Sequence, residues 1–325
     1  MSDGMPLTNP GTREAPVSGP TIAVFVPTPC IDRYVIVSSL PAAGWKVIGQ
    51  DLGELHGGVA GNFAVAAARL GADVHAIGWA GTDAASVGAV HSLRVEGVDV
   101  SLVHGREAHP VFRTTVLVDG HGERSVVLFP PNDGFEDLAP AWPGALRLLA
   151  PALCYVGPWN RVAATLAEAA RAAGAIVAAT LESDSGRGTA FDWASLWPVD
   201  LLFMSEETAG LFGWAADRRA ALPEDRDRWP RVVVITLGAA GAQYVMTEDG
   251  SSVHAAGREV VAIDTTGAGD TFAAAFCIYW AEGLRGARLL ARANAAGAFA
   301  TTALGPRAGM PSRAQVEEDA ASMRP

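Results

Sequence analysis

Short apolar runs and alanine-rich stretches alternate along most of the chain. TIAVFVP (21–27), VHAIGWAG (74–81), ALCYVGP (152–158), AIVAATLE (175–182) and RVVVITLG (231–238) are apolar at nearly every position. That continuity predicts strands buried on both faces. NFAVAAARLGA (62–72), AASVGAVHSLRVEGV (84–98) and VAATLAEAARAAG (162–174) are rich in helix formers and carry a glycine at or near their ends, which predicts helices. DLLFMSEETAGLFG (200–213) reads as a strand and a short helix, and AQYVMTE (242–248) as a further strand. Alternation of this kind predicts a three-layer α/β/α fold with a mostly parallel sheet. Two patches break the rhythm: YVIVSSLPAAGWKVIGQDLGEL (34–55) and residues 100–130, where SLVHG, FRTTVLVD and ERSVVLFP are short strands and DGHGE (119–123) is a hairpin signal. They are expected to form one small sheet apart from the main body.

The stretch IDTTGAGDTFAAAF (263–276) raises a chemical question. Val260-Val261-Ala262-Ile263 is short and β-branched and predicts a last buried strand, while Thr271–Phe276 predicts a helix with Phe272 and Phe276 on one face. Gly267, Ala268, Gly269 and Asp270 lie between. Glycines allow close approach of a ligand, and a helix start offers unpaired N–H groups to an anion. An aspartate is misplaced beside a phosphate unless it accepts a proton. Read alone, the stretch fits equally a tight turn in which Asp270 is an ordinary cap.

Composition narrows the classes. Half the residues are hydrophobic, 18% are charged, and the formal net charge is −11. A large core is therefore expected, a nucleic-acid surface is not, and the balance fits a cytoplasmic protein. Cys30, Cys154 and Cys277 are too widely spaced for a disulfide framework or metal knuckle and read as buried small hydrophobes. No apolar run has membrane-spanning length. Residues 1–20 lack the apolar region of a signal peptide and read as a disordered tail, with the domain at 21–315 and a C-terminal tail at 316–325 that ends in a frayed helix.

Three further stretches could carry chemistry. In HGGVAGNFAVAAARLG (56–71), Gly57 and Gly58 precede a helix whose expected cap is Asn62. Asp32 in VPTPCIDRYV falls just beyond the first strand, where a carboxylate can bind hydroxyls. ITLGAAGA (235–242) ends a strand in Thr236 and a glycine-bearing turn. A Walker-type glycine loop is absent, and GVAGNFAVA is not a dinucleotide fingerprint.

In order and spacing these stretches resemble the ribokinase-like (PfkB) carbohydrate kinase family over roughly residues 21–315. The resemblance implies an ATP-dependent phosphotransferase that phosphorylates a hydroxymethyl group of a small sugar, with the two strand patches forming a lid that often serves as a homodimer interface. Asp270 would be the base, and the N–H groups of Gly267, Ala268 and Gly269 the anion hole. Asp32, Gly57, Gly58, Asn62 and, less closely, Glu123 match substrate positions. Ser205, Thr236, Gly238, Gly241 and Asn294 match nucleotide positions, with the loop 303–309 beside the adenine. Asp264 and Thr266 match positions for a monovalent cation, K⁺ in ribokinases. Mg²⁺ would arrive with ATP, with Glu207 as a carboxylate for its water.

The chain departs from the family twice. An Asn-x-x-Glu stretch is replaced by Ser205-Glu206-Glu207-Thr208, and a frequent lysine by Val59. The second weakens a phosphorylated-sugar substrate unless Arg33, Arg113 or Arg161 supplies an anion contact. Two rivals stay open. A nucleoside kinase would use aromatics such as Trp45, Phe112, Phe129 and Trp159. A catalytically weak sugar-binding or regulatory protein would rest on the Ser205–Thr208 change.

Overall fold

In a computed structural model, residues 19–107, 110–120, 124–130, 141–182, 196–214 and 229–322 are described. The main sheet has nine strands: β1 (Thr21–Phe25), β4 (Asp73–Ala80), β5 (Asp99–Gly105), β8 (Leu153–Tyr155), β9 (Ile176–Thr180), β10 (Leu201–Ser205), β11 (Val232–Thr236), β12 (Ala242–Met246) and β13 (Ser252–Ala255). Their spatial order is β13-β12-β11-β10-β9-β8-β1-β4-β5, and every strand but β12 runs parallel. Both faces are covered, which is why the strands read as continuous apolar runs. In β1, Ile22 and Val24 pack toward one face, while Ala23 and Phe25 pack toward the other.

The first face is covered chiefly by α1 (Val59–Arg69), α2 (Ala84–Val95), α6 (Ala268–Ala281) and α7 (Gly286–Ala300). The second is covered by α3 (Trp142–Leu149), α4 (Arg161–Ala172) and α5 (Glu206–Leu211). Glycine lets α7 approach α6 closely: a Cβ on Gly297 would lie 3.2 Å from the Ala268 carbonyl oxygen. Cys30, Cys154 and Cys277 are buried and unpaired with one another. No helix among the described residues is long and apolar enough to cross a membrane.

A second, four-stranded sheet, in the order β3-β2-β6-β7, is built from β2 (Cys30–Val37), β3 (Gly49–Gly57), β6 (Phe112–Val118) and β7 (Arg124–Phe129). Register places Asp32 beside Thr114 and Leu128, Tyr34 beside Val116 and Val126, and Ile36 beside Val118 and Arg124. Since side chains alternate along a strand, these nine residues share one face.

Three expectations change. SLVHG is not part of the small sheet: it belongs to β5, paired in parallel with β4, where Val100 and Val103, with Val98 just before the strand, enter the main core. Val260–Ile263 is not a strand. The Ile263 and Asp264 N–H groups donate to the Thr301 carbonyl at the end of α7, and Val261 is 86% exposed. The edge position beside β12 is taken by β13, which was not anticipated. The helix expected in the C-terminal stretch is α8 (Arg313–Ser322), held by buried Val316 and by the Arg292–Glu317 ion pair at 2.8 Å. Asn62 does not cap α1. Gly58 does, at φ 80°, so Asn62 lies inside the first turn with its side chain available for other work.

Candidate active site

The carboxyl edge of the parallel strands, the starts of α1 and α6, and the inner face of the small sheet meet at one place. Its centre is Asp270, the third residue of α6. The Asn62 amide Nδ2 donates to Asp270 Oδ2 at 2.9 Å. Burial of the carboxylate raises the Asp270 pKa to about 6; the Asn62 bond and the Arg124 and Arg307 charges oppose the shift, while Asp32 adds to it. A carboxylate poised in that range is ionised at neutral pH yet able to hold a proton.

The start of α6 is shaped for an anion. Gly267 is its left-handed cap at φ 79°, and no side chain caps it. A Cβ on Gly267 would lie 2.2 Å from the Pro306 carbonyl oxygen, so only glycine permits this turn. The first N–H groups of a helix have no acceptor within it; Ala268 N–H makes one long bond, 3.3 Å, to the Thr265 carbonyl. A Cβ on Gly269 would meet nothing within 4 Å, so this side of the turn is open.

Asp264 locks the approach to that turn. Its Oδ1 accepts from Thr266 N–H (2.9 Å) and Thr266 Oγ1 (2.7 Å), and its Oδ2 from Gly305 N–H (2.8 Å). Asp264 and Thr266 therefore join the α6 turn to the loop after α7.

The small sheet contributes Asp32. It is buried on β2, and its Oδ1 accepts from Thr114 Oγ1 at 2.6 Å and from the Cys30 thiol at 3.2 Å. Burial first, then the Asp32 charge, pushes the Cys30 thiol far up, so it stays a neutral donor. Gly57 ends β3 and Gly58 opens α1, so the glycine pair is the junction between small sheet and body. A Cβ on Gly57 would lie 1.8 Å from Asp32 Oδ2, and one on Gly58 2.6 Å from Cys30 Cβ. Close approach requires both glycines. Glu123 lies outside the described residues.

The remaining motif residues line the other half of the carboxyl edge. Ser205 and Thr236 are register partners at the ends of β10 and β11. Gly238 and Gly241 bound a single tight turn, and a Cβ on Gly241 would lie 2.2 Å from the Ala255 carbonyl oxygen. Asn294 Nδ2 donates to the carbonyls of Ala255 (3.1 Å) and Ala256 (2.8 Å). It holds the loop against which that turn packs. The altered Ser205–Thr208 stretch is internally satisfied: Ser205 Oγ accepts from Thr208 N–H at 3.1 Å and donates to Thr208 Oγ1 at 2.9 Å, capping α5. Glu207 is exposed in the first turn of that helix.

Of the arginines weighed for an anion, Arg33 pairs with Asp51 at 2.6 Å and Arg113 pairs with Glu54, on the outward side of the small sheet. Arg161 opens α4 in the other half of the edge. The arginines that reach the Asp270 site are Arg124 and Arg307, and motif reading singled out neither.

Comparison with known proteins now has a geometry to attach to. The pfkB family carbohydrate kinase model matches residues 25–313. The chain belongs to the pfkB carbohydrate kinase family. It is 34% identical over 281 residues to an ATP-dependent ribose-1-phosphate kinase of Halopiger xanaduensis, covering 85% of this chain and 90% of that protein. It is 32% identical over 274 residues to a fructokinase of Klebsiella pneumoniae, covering 78% and 88%. Among solved structures, the ribokinase of Giardia lamblia superposes with a TM-score of 0.78 at 20% identity, covering 94% of this chain and 100% of that one. The ribokinase of Arabidopsis thaliana in complex with ribose and ATP gives 0.73 at 22%, covering 93% and 99%. The fold is thus the ribokinase fold, and as a member of this family the chain is a sugar kinase.

Proposed function

We propose that this sugar kinase transfers the γ-phosphoryl group of ATP to a hydroxymethyl group of a small sugar, with Asp270 as general base. The observation that carries the reading is Asp270 itself: an ionisable carboxylate at about 6, fixed by Asn62, beside the N–H groups that open α6, which no side chain caps. As the acceptor oxygen attacks phosphorus, Asp270 takes its proton, and the γ-phosphoryl oxygens lie against the N–H groups of residues 267–269. Asp32 and the Gly57-Gly58 backbone hold the sugar hydroxyls. The turn at 238–241 and Thr236 hold the nucleotide, and Asn294 supports that turn from behind. Positioning and fixed charge supply most of the rate.

Mg²⁺ would enter on the phosphates of ATP and neutralise their charge; Glu207, exposed in the first turn of α5, would bond its water. Among the described residues, buried Asp264 has no cationic partner bonded to it and its Oδ2 accepts a single hydrogen bond, which leaves a lone pair for K⁺. The edge strand β7 presents four consecutive apolar residues, Val126, Val127, Leu128 and Phe129, each 43–54% exposed. An open edge of that kind supports pairing of two copies through the small sheet, which would act as the lid.

A second reading concerns the acceptor. Arg124 lies on the same face of the small sheet as Asp32 and Tyr34, its side chain forms no hydrogen bond or ion pair among the described residues, and it influences Asp270 through its charge. A free cation there suits an acceptor that already carries a phosphate, as the name of the Halopiger relative states for that protein. Aromatic stacking of a nucleoside has one candidate of the four: Phe112, register partner of Cys30, shares the face of Asp32 and Thr114, whereas Trp159 is built into the core beneath the sheet, Trp45 is 78% exposed, and Phe129 is the register partner of outward-facing Arg113. The test is ADP release with Mg·ATP over sugars, sugar phosphates, polyols and nucleosides, with and without K⁺, for the wild type and Asp270→Ala. Turnover of one sugar or sugar phosphate, abolished by Asp270→Ala, supports the reading. Turnover of nucleosides alone overturns it, as does binding of a sugar without phosphorylation.

A further inference from the structure

Arg307 is a cation in an unusual place. It lies in the loop after α7, and its guanidinium reaches under the start of α1. Its donors go to neutral acceptors only: Nε to Asn62 Oδ1 (3.2 Å), Nη1 to Ser92 Oγ (3.3 Å) and Nη2 to the Gly57 carbonyl (3.1 Å). No carboxylate pairs with it among the described residues; Asp32 and Glu96 act on it only at longer range. Burial lowers its pKa to about 10. A buried charge without an ionic partner costs stability, so packing alone does not explain it.

The surroundings are built to hold it. A Cβ on Gly61 would lie 2.8 Å from Nη2, so a glycine one residue before Asn62 makes room for the guanidinium. Arg69 Nη1 donates to the carbonyls of Arg307 (2.7 Å) and Met310 (3.1 Å). Arg69 is itself fixed by two 2.8 Å bonds to Glu96. Both the backbone and the head group of Arg307 are thereby set.

We propose that Arg307 is a positioning residue for the base: by donating to Asn62 Oδ1 it turns the amide so that Nδ2 faces Asp270. An amide is nearly symmetric in shape, and its orientation follows from its partners. With a cation on the oxygen side, only the NH₂ group can face the carboxylate. If the cation is lost, the amide is free to turn its oxygen to Asp270, which disfavours the ionised form. The charged and titratable groups facing Asp270 are Arg124 from β7, Asp32 from β2, Arg307 from the loop after α7, and the Tyr155 hydroxyl from β8, which stays neutral. Arg307 thus acts twice, through its charge and through Asn62.

The inference rests on Asp270 being the base, and the experiment separates the two. The Asp270 carboxyl is titrated by ¹³C NMR in the full chain, its signal assigned by its loss in Asp270→Asn. Its midpoint is expected near pH 6 in the wild type. Arg307→Met is expected to raise it by about one pH unit, and Arg307→Lys by less, since a lysine keeps the charge. Gly61→Ala retains the arginine but displaces its head group, so it is the variant to read if Arg307→Met does not fold; it should shift the midpoint the same way. Turnover of Arg307→Met should fall most at acidic pH and recover as pH rises. Asn62→Ala combined with Arg307→Met should lose less than the sum of the two single losses, since both break one link. An unmoved midpoint in the folded variants, or additive losses, overturns the inference while leaving Asp270 as base. Wild-type turnover in Asp270→Asn overturns both.

Discussion

Two groups of helices begin at the same edge of the main sheet and begin differently. Helices α2, α4 and α5 follow the parallel strands β4, β8 and β10, and each is capped by a side chain: Asp83, Asn160 and Ser205 accept from N–H groups of the first turn. Helices α1 and α6 follow other kinds of segment, the small sheet and the irregular chain from 256 to 267. Their caps are Gly58 and Gly267, at φ 80° and 79°, with no side chain bonded to the first turn. A side-chain cap satisfies the helix start from within. A glycine cap leaves those donors for something else and lets another backbone or carboxylate come close. Helices α3 and α7 also start without a side-chain cap, at Ala141 and Arg285, but the two capped by glycine are the two that meet at Asp270 and Asn62. Among the five helices compared, where the start is closed by its own side chain the helix is scaffold, and where glycine caps it the helix is site.

The sharpest way to break this comparison is to remove what the open start serves. Asp270→Asn should lower kcat by about 10²–10⁴-fold, the usual share of a general base. The substitution should not harm the fold. A carboxylate whose folded value is raised destabilises the native state when ionised: the cost is present above about pH 6 and fades as pH falls toward the ordinary range. At pH 7.5 Asp270→Asn should therefore melt at or above the wild-type temperature, and a clear drop in Tm would mean that Asp270 holds structure instead. Wild-type kcat should fall about tenfold per pH unit below 6, with the base protonated.

Next in size is the cap itself. Gly267→Ala forces a Cβ to within 2.2 Å of the Pro306 carbonyl oxygen and an L-residue into the left-handed region. The backbone term alone is about 1–2 kcal/mol, and the contact moves the 305–307 loop in addition. Both Tm and kcat should fall, kcat by more than the stability loss implies, because the anion-facing N–H groups move with the loop. Gly269→Ala is the matched control: it meets open space, so its Tm should hold. Equal effects from the two would make the close approach at Gly267 irrelevant.

How far the chain could be read without coordinates depends on how local each signal is. The parallel sheet was legible because burial on both faces leaves unbroken apolar runs, and GAGD because its glycines and aspartate are adjacent. Val260–Ile263 misled for the same reason: an apolar β-branched run says nothing about whether an edge is available to pair with, and β13 already occupies it. SLVHG misled because its alternation fits either sheet and only its partner β4 decides. Asn62 does not cap α1 as expected, since the helix opens earlier at Gly58, whose positive φ cannot be read from the sequence. Arg307 had no local signature. One arginine in a loop becomes informative only when folding brings it to a residue 245 positions away.

The smallest effect comes from the closed starts. Asp83 accepts from Ala85 N–H at 3.0 Å and Ser86 N–H at 3.1 Å and is itself exposed. Asp83→Ala should cost about 1 kcal/mol of stability, the ordinary worth of such a cap. Asp83→Asn, which can accept the same bonds, should cost a fraction of that. The Ser86 hydroxyl holds the Asp83 carboxyl below its ordinary value, so its contribution is present at neutral pH and is lost as acid protonates it. Acid should therefore erode the advantage of wild type over Asp83→Ala, whereas it should erode the disadvantage of wild type against Asp270→Asn. Neither Asp83 variant should change kcat or KM. If Asp83→Ala lowers kcat as Gly267→Ala does, closed and open helix starts do not divide scaffold from site, and the edge works as one surface.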